Sequence, residues 1–123
     1  MAHHRILLVE DNGELRRLYK EMFERNNFTV DEAEDGQSAI DIALMSKPDL
    51  ILLDLMLPRQ GGLGALKILR SLPELRTTPV VVLTALPNPE YREEAKDQVQ
   101  GFFLKTEIKP KDLVLRVREL LEG

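Results

Sequence analysis

Asp49-Leu50-Ile51-Leu52-Leu53-Asp54-Leu55-Met56-Leu57-Pro58 is the stretch on which the fold turns. From Asp49 to Leu55 it is a nearly continuous apolar run, the pattern of a strand buried on both faces rather than half-exposed in an alternating sheet. The run is of strand length and far too short to span a membrane. Asp54 interrupts it where a hydrophobe is expected. Two comparable runs lie on either side in the chain: Ile6-Leu7-Leu8-Val9 within 5–10, and Val80-Val81-Val82-Leu83 within 79–84.

Working outward from these runs, the periodicity alternates. Between Glu14 and Arg25 the apolar residues Leu15, Leu18, Tyr19, Met22 and Phe23 fall on one helical stripe. Phe28 to Ala33 alternates as a strand. Asp35-Gly36 opens a second helix with Ala39, Ile40, Ala43 and Leu44 on one face, stopped before Pro48. Leu63, Leu66, Leu69 and Leu72 stripe a third. Asn88 and Pro89 read as N-cap and first position of a polar fourth helix reaching Val99, with Tyr91, Ala95 and Val99 facing inward. Phe102-Phe103-Leu104 is a fifth strand, and Pro110 opens a last helix with Leu113, Val114, Val117, Leu120 and Leu121 inward. Five strand–helix units with apolar strands imply an open α/β fold, a parallel sheet covered by helices on both faces. The whole of 1–123 reads as one domain, with His3, His4 and Glu122-Gly123 as tails.

Composition narrows the chemistry. At 43% hydrophobic and 31% charged, the 123 residues suit a globular domain rather than a disordered chain. Seventeen Lys+Arg against twenty-one Asp+Glu give a net charge of −4, which argues against direct nucleic-acid binding. Without cysteine there is no disulfide, thiolate catalysis or Cys-ligated zinc. No transmembrane or signal segment is recognisable, so an intracellular, cytoplasmic protein with no membrane contact is expected.

In open α/β sheets, ligands bind at the carboxyl ends of the strands. There the chain sets Glu10 and Asp11 after strand one, Asp54 after strand three, Thr84 after strand four and Lys105 after strand five. Two carboxylates about 5 Å apart repel by roughly 3 kcal/mol at an effective dielectric near 20, so three of them call for a cation or a strongly raised pKa. Oxygen-only donors suit a hard ion such as Mg²⁺. With the metal, the Lys105 ammonium and the Thr84 hydroxyl neutralising phosphoryl oxygens, Asp54 is equipped to become an acyl phosphate.

These residues carry a resemblance. Glu10-Asp11, Asp54-Leu55-Met56-Leu57-Pro58 with Gly62 eight residues past Asp54, Thr84-Ala85 and Lys105, in this order on five strands, resemble the receiver domain of bacterial two-component response regulators over essentially the whole chain. The resemblance implies a flavodoxin-like sheet in the order 2-1-3-4-5. It further implies that Asp54 is the phosphoacceptor and that Asp11, Asp54 and the Met56 backbone carbonyl are Mg²⁺ ligands, with Glu10 acting through water. Thr84 would be the switch hydroxyl and Phe102 the switch aromatic, a role Phe103 could take if the register were shifted by one. Met56 and Leu86, two residues past Asp54 and Thr84, would tune hydrolysis, and both are apolar. The implied partners are a sensor histidine kinase or a histidine phosphotransfer protein upstream, and a protein target or an effector domain downstream. The protein would be a monomer or a phosphorylation-linked dimer, and no enzyme beyond its own phosphorylation and dephosphorylation.

Two departures and three rivals frame this reading. The family follows its lysine with proline through a cis peptide, but here Thr106 follows Lys105. A cis bond there would cost about 2.5–4 kcal/mol, so a trans bond is expected, with Ile108 anchoring the loop and Lys105 still reaching Asp54. The stretch from Thr84 to Lys105 is also about one residue short, which bears on the fourth helix. A flavodoxin-type phosphate binder would need a first loop whose amides cradle an anion, and the acidic loop 10–14 repels one. A haloacid-dehalogenase-type phosphatase would need a general acid where Met56 stands. A receiver-like binding module indifferent to phosphorylation would not need all five rim residues.

Overall fold

The three apolar runs that read as doubly buried strands are the three interior strands of the sheet. A computed structural model describes residues 3–57, 61–85 and 89–122. Its strands β1 (Arg5–Val9), β2 (Thr29–Ala33), β3 (Leu50–Leu53), β4 (Val80–Thr84) and β5 (Gly101–Leu104) are all parallel, in the order β2-β1-β3-β4-β5. They alternate with α1 (Gly13–Arg25), α2 (Gly36–Ser46), α3 (Gly62–Ser71), α4 (Pro89–Ala95) and α5 (Pro110–Glu122). Every residue of β3 is at most 1% exposed. The edge strand β2, by contrast, carries Asp31 and Glu32, charges that discourage further strand addition.

Side-chain alternation splits the core into two layers. Leu7, Val9, Ile51, Leu53, Val80 and Val82 pack under α2, α3 and Ala95 of α4. Ile6, Leu8, Leu50, Leu52, Val81 and Leu83 pack against Tyr19 and Phe23 of α1 and Leu113, Val114 and Val117 of α5. The helices begin where local chemistry tells them to. The Asn12 side chain accepts from the amides of Glu14 (3.0 Å) and Leu15 (3.1 Å), and Asp35 caps α2 through Ser38 N at 2.8 Å. Lys47 closes α2 in the left-handed conformation (φ 49°).

The structure corrects several boundaries. The fourth helix ends at Ala95, not Val99. Ala95 is its only buried residue, and a turn follows in which Gln98 N bonds Ala95 O at 2.8 Å. Arg70 of α3 reaches across to the Gln98 carbonyl (2.9 Å) and the Gln100 side chain (3.2 Å), tying the chain to the sheet where further helix was expected. Val99 still packs on the core, but from outside the helix. Leu120 is 40% exposed rather than inward, whereas the next residue, Leu121, packs on the α1/α5 layer. The third strand stops at Leu53, so Asp54 stands just beyond it. His4 is no tail: its carbonyl accepts from Thr29 N at 2.9 Å and its ring lies 6.4 Å from Phe28. Glu122 likewise belongs to α5. Pro58, Leu86, Asn88 and Gly123 lie outside the described residues.

Gly62 fixes where α3 meets the β3 terminus. Its amide bonds Leu55 O at 3.1 Å, and a β-carbon there would sit 2.2 Å from Leu55 Cα and 2.5 Å from the Asp54 carbonyl oxygen. Gly61, the N-cap, has φ +74° but open space around it. Gly62→Ala should therefore lower stability by about 1–3 kcal/mol through overpacking. Gly61→Ala should cost about 1–2 kcal/mol from backbone strain alone. Urea melts of the two variants check both, and an unchanged midpoint for Gly62→Ala would contradict the close approach.

Candidate functional site

Because all five strands run the same way, the residues that follow them share one rim, and the backbone there is held as firmly as in the strands. Glu10 N bonds Ala33 O (3.0 Å), Asp54 N bonds Val9 O (3.1 Å) and Lys105 N bonds Thr84 O (2.8 Å). The ladder thus continues one residue past β1, β3 and β5 and aims three charged side chains from a rigid base. Glu10 and Asp54 are 2% and 4% exposed, and Thr84 is 1% exposed. Asp11 is exposed.

The side chains converge. Carboxylate oxygens of Glu10, Asp11 and Asp54 lie within 4.8 Å of one another. The Lys105 ammonium donates to Glu10 Oε1 at 2.5 Å and to Asp54 Oδ2 at 2.9 Å. The remaining oxygens take backbone amides: Asn12 N donates to Glu10 Oε2 (3.1 Å) and Met56 N to Asp54 Oδ1 (2.9 Å). The Lys105–Thr106 peptide is trans, and Ile108 packs against the α1/α5 layer, as expected. The four-carbon stem of Lys105 spans the gap.

Burial pushes the Glu10 carboxyl above its ordinary range, opposed by the bond from Lys105 and reinforced by the neighbouring Asp54 charge. Burial also penalises the Lys105 ammonium, but its bonds to Glu10 and Asp54 outweigh that and raise its pKa. Three carboxylates against one ammonium leave an excess of two negative charges when all are ionised. An all-oxygen donor set with that excess matches a hard divalent cation. It is ill suited to a bare anion, since the first-loop amide of Asn12 is already taken by Glu10.

The sequence-predicted residues are placed as follows. Glu10, Asp11, Asp54 and Lys105 meet directly, with Met56 beside Asp54 through its amide. Thr84 is buried on the same rim, at the end of β4. Register separates the two phenylalanines. Phe102 pairs with Val82 and Leu104 with Thr84, so Phe102 shares Thr84's face and packs on the α3/α4 layer, whereas Phe103 joins the α1/α5 layer. Phe102 is half-buried beneath the Arg92 guanidinium, 5.4 Å from its ring centroid. The sequence reading passed over Asn12 and Arg16, which bond Glu10. Their signal was a capping residue and a basic residue one turn into the helix after an acidic turn.

Removing either end of the Lys105–Asp54 contact should have opposite effects in metal-free buffer. Lys105→Met leaves Glu10 and Asp54 buried without their cation and should cost about 3–5 kcal/mol. Asp54→Asn keeps an oxygen for Met56 N, leaves Lys105 on Glu10 and relieves a repulsion of roughly 3 kcal/mol. Its melting temperature should rise. Calorimetry of the two variants decides this, and a rise for both or a fall for both contradicts the charge balance.

Comparison with known proteins agrees with this geometry. The family model described as "Response regulator receiver domain" matches residues 6–118. Among curated proteins the chain is similar to the transcriptional regulatory protein ResD of Bacillus subtilis (strain 168), 39% identical over 123 residues, 95% of this chain and 48% of that one. It is also similar to the transcriptional regulatory protein SrrA of Staphylococcus aureus (strain NCTC 8325 / PS 47), 37% identical over 116 residues, 94% of this chain and 47% of that one. The chain therefore spans about half the length of these curated relatives. Among solved structures, the BeF3-activated N-terminal receiver domain of Klebsiella pneumoniae RstA superposes with a TM-score of 0.86 at 28% identity, covering 97% of this chain and 99% of that one. The Mn(2+)-bound form of response regulator Rcp1 gives 0.79 at 30% identity, covering 95% and 91%. Among the described residues, no helix is long and apolar enough to cross a membrane.

Proposed function

The chain belongs to the response regulator receiver domain family, and from that premise we propose that it takes a phosphoryl group from the phosphohistidine of a sensor histidine kinase or histidine phosphotransfer protein onto Asp54. The observation that carries this reading is the Lys105 ammonium 2.9 Å from Asp54 Oδ2, inside a cluster of three carboxylates. In the transfer, an Asp54 oxygen attacks phosphorus, the phosphorus–nitrogen bond breaks and the imidazole leaves, so that an acyl phosphate forms. Lys105 neutralises phosphoryl oxygens and the Thr84 hydroxyl bonds one of them. Phe102 follows Thr84 on their shared face and alters the output surface. Asp11, Asp54 and the Met56 carbonyl, with Glu10 through water, would hold a Mg²⁺ ion, which would supply charge neutralisation at the phosphoryl group.

The protein is no enzyme beyond catalysing its own phosphorylation and dephosphorylation. It works in the cytoplasm as a monomer or phosphorylation-linked dimer, and its output passes to a protein target or to an effector domain joined to it. Its length relative to ResD and SrrA supports the second arrangement.

Incubation with acetyl phosphate and Mg²⁺ should add one phosphoryl group, read by intact mass, and Asp54→Asn should abolish it. Equal labelling of the Asn variant would sink the assignment, and a parent that takes no label would favour a phosphorylation-indifferent binding module. Met56 is 42% exposed at the mouth of the site and offers an attacking water no side-chain hydrogen bond of ordinary strength. Met56→Asn should shorten the phosphoryl half-life roughly tenfold, the scale of one well-placed hydrogen bond of about 1.4 kcal/mol. Leu86, the other residue expected to exclude water, lies outside the described residues. The decay of the labelled mass gives the half-life directly.

A further inference from the structure

Arg16 lies one turn into α1, and its side chain points back at the rim from which the helix departs. Nη1 donates to the Glu10 carbonyl oxygen at 2.9 Å, and Nε donates to Glu32 Oε1 of β2 at 3.1 Å. The Glu34 carboxylate stands 4.0 Å away, and the Arg16 side chain is only 20% exposed. The carbonyl it holds belongs to the peptide joining Glu10 to Asp11. That peptide's orientation sets the direction in which the Asp11 side chain leaves the backbone. Of the three carboxylates, Glu10 and Asp54 are fixed by burial and by Lys105, but Asp11 is exposed. The backbone is therefore its main source of order. Glu10 N on Ala33 O (3.0 Å), Asn12 N on Glu10 Oε2 (3.1 Å) and Arg16 N on Asn12 O (2.9 Å) fasten the remainder of the turn.

We propose that Arg16 is a positioning residue for the cation site: by clamping the Glu10–Asp11 peptide between α1 and Glu32 of β2, it keeps the Asp11 carboxylate turned toward Glu10 and Asp54. This rests on the reading of the acidic cluster as a Mg²⁺ site. Groups that orient metal ligands from outside the coordination sphere typically change metal affinity by about 10–100-fold when removed. A fork of fixed geometry is needed, because the carbonyl and the Glu32 carboxylate are held at once by different nitrogens of one planar group.

The sign of the effect separates this role from a charge effect. Arg16 is a cation near a cation site, so on Coulomb grounds alone its removal tightens Mg²⁺ binding. As a clamp its removal loosens it. The test is the Mg²⁺ dissociation constant of the full chain, from calorimetric titration with MgCl₂ alone and from melting temperature against Mg²⁺ concentration. Arg16→Met should weaken binding about tenfold or more. Arg16→Lys keeps the charge but has a single nitrogen to divide between the Glu10 carbonyl and Glu32, and should show a smaller loss in the same direction; it also serves if the Met variant fails to fold. Binding as tight as the parent's, or tighter, in either variant overturns the proposal. So does a lower metal-free melting temperature with an unchanged dissociation constant, which is a purely structural role. A parent chain that binds no Mg²⁺ overturns the cation reading of the cluster itself, and the clamp with it.

Discussion

The structure depends on a repulsion. A parallel sheet delivers the residues after each strand to one rim, and here three of those residues are carboxylates whose oxygens lie within 4.8 Å of one another. Glu10 and Asp54 are almost wholly buried, so water does little to screen them. Lys105, arriving from the far edge strand, is the one ammonium among the described residues that bonds both. Everything around the rim, from the ladder bonds that extend past the strand ends to the amides of Asn12 and Met56, serves to hold these charges in place against their own field.

The apolar layers make that possible. The interior strands, at most 3% exposed over Ile6–Val9, β3 and β4, leave little slack for the rim to relax into. At Gly62 the start of α3 comes so close to the Asp54–Leu55 backbone that no β-carbon fits, which pins the chain just after β3. The burial of Asp54 thus also makes its position definite.

Most of this was legible in the sequence because it is local or periodic. Continuous apolar runs identified the interior strands, Asp35-Gly36 and Pro110 marked two helix starts, and the polar residues after the runs identified the rim. The failures are non-local. The fourth helix was carried to Val99 by its own pattern, but it ends at Ala95 where Arg70, some thirty residues earlier, takes the Gln98 carbonyl and the Gln100 side chain. His4 looked like a tail until its carbonyl was seen to pair with Thr29 of β2. Leu120 fits the inward stripe of α5 by spacing, yet it lies at the stripe's edge, 40% exposed, while Leu121 takes the contact with the core. The ambiguity between Phe102 and Phe103 was one of register, and only the pairing of β5 with β4 resolves it.

The same charge balance bears on function. At the rim Lys105 is shared between Glu10 and Asp54, and three carboxylates face one ammonium, an excess of two negative charges when all are ionised. A divalent cation cancels that excess without displacing an apolar contact, since Asp11 already lies open to solvent. In the proposed reaction such a cation would be held by these carboxylates, and the Lys105 ammonium would neutralise the incoming phosphoryl group. The trans Lys105–Thr106 peptide does not obstruct this, because the reach lies in the side-chain stem rather than in the backbone. On the reading proposed for this chain, one ammonium serves two ends: it holds Glu10 and Asp54 together, and it would neutralise the phosphoryl group on Asp54.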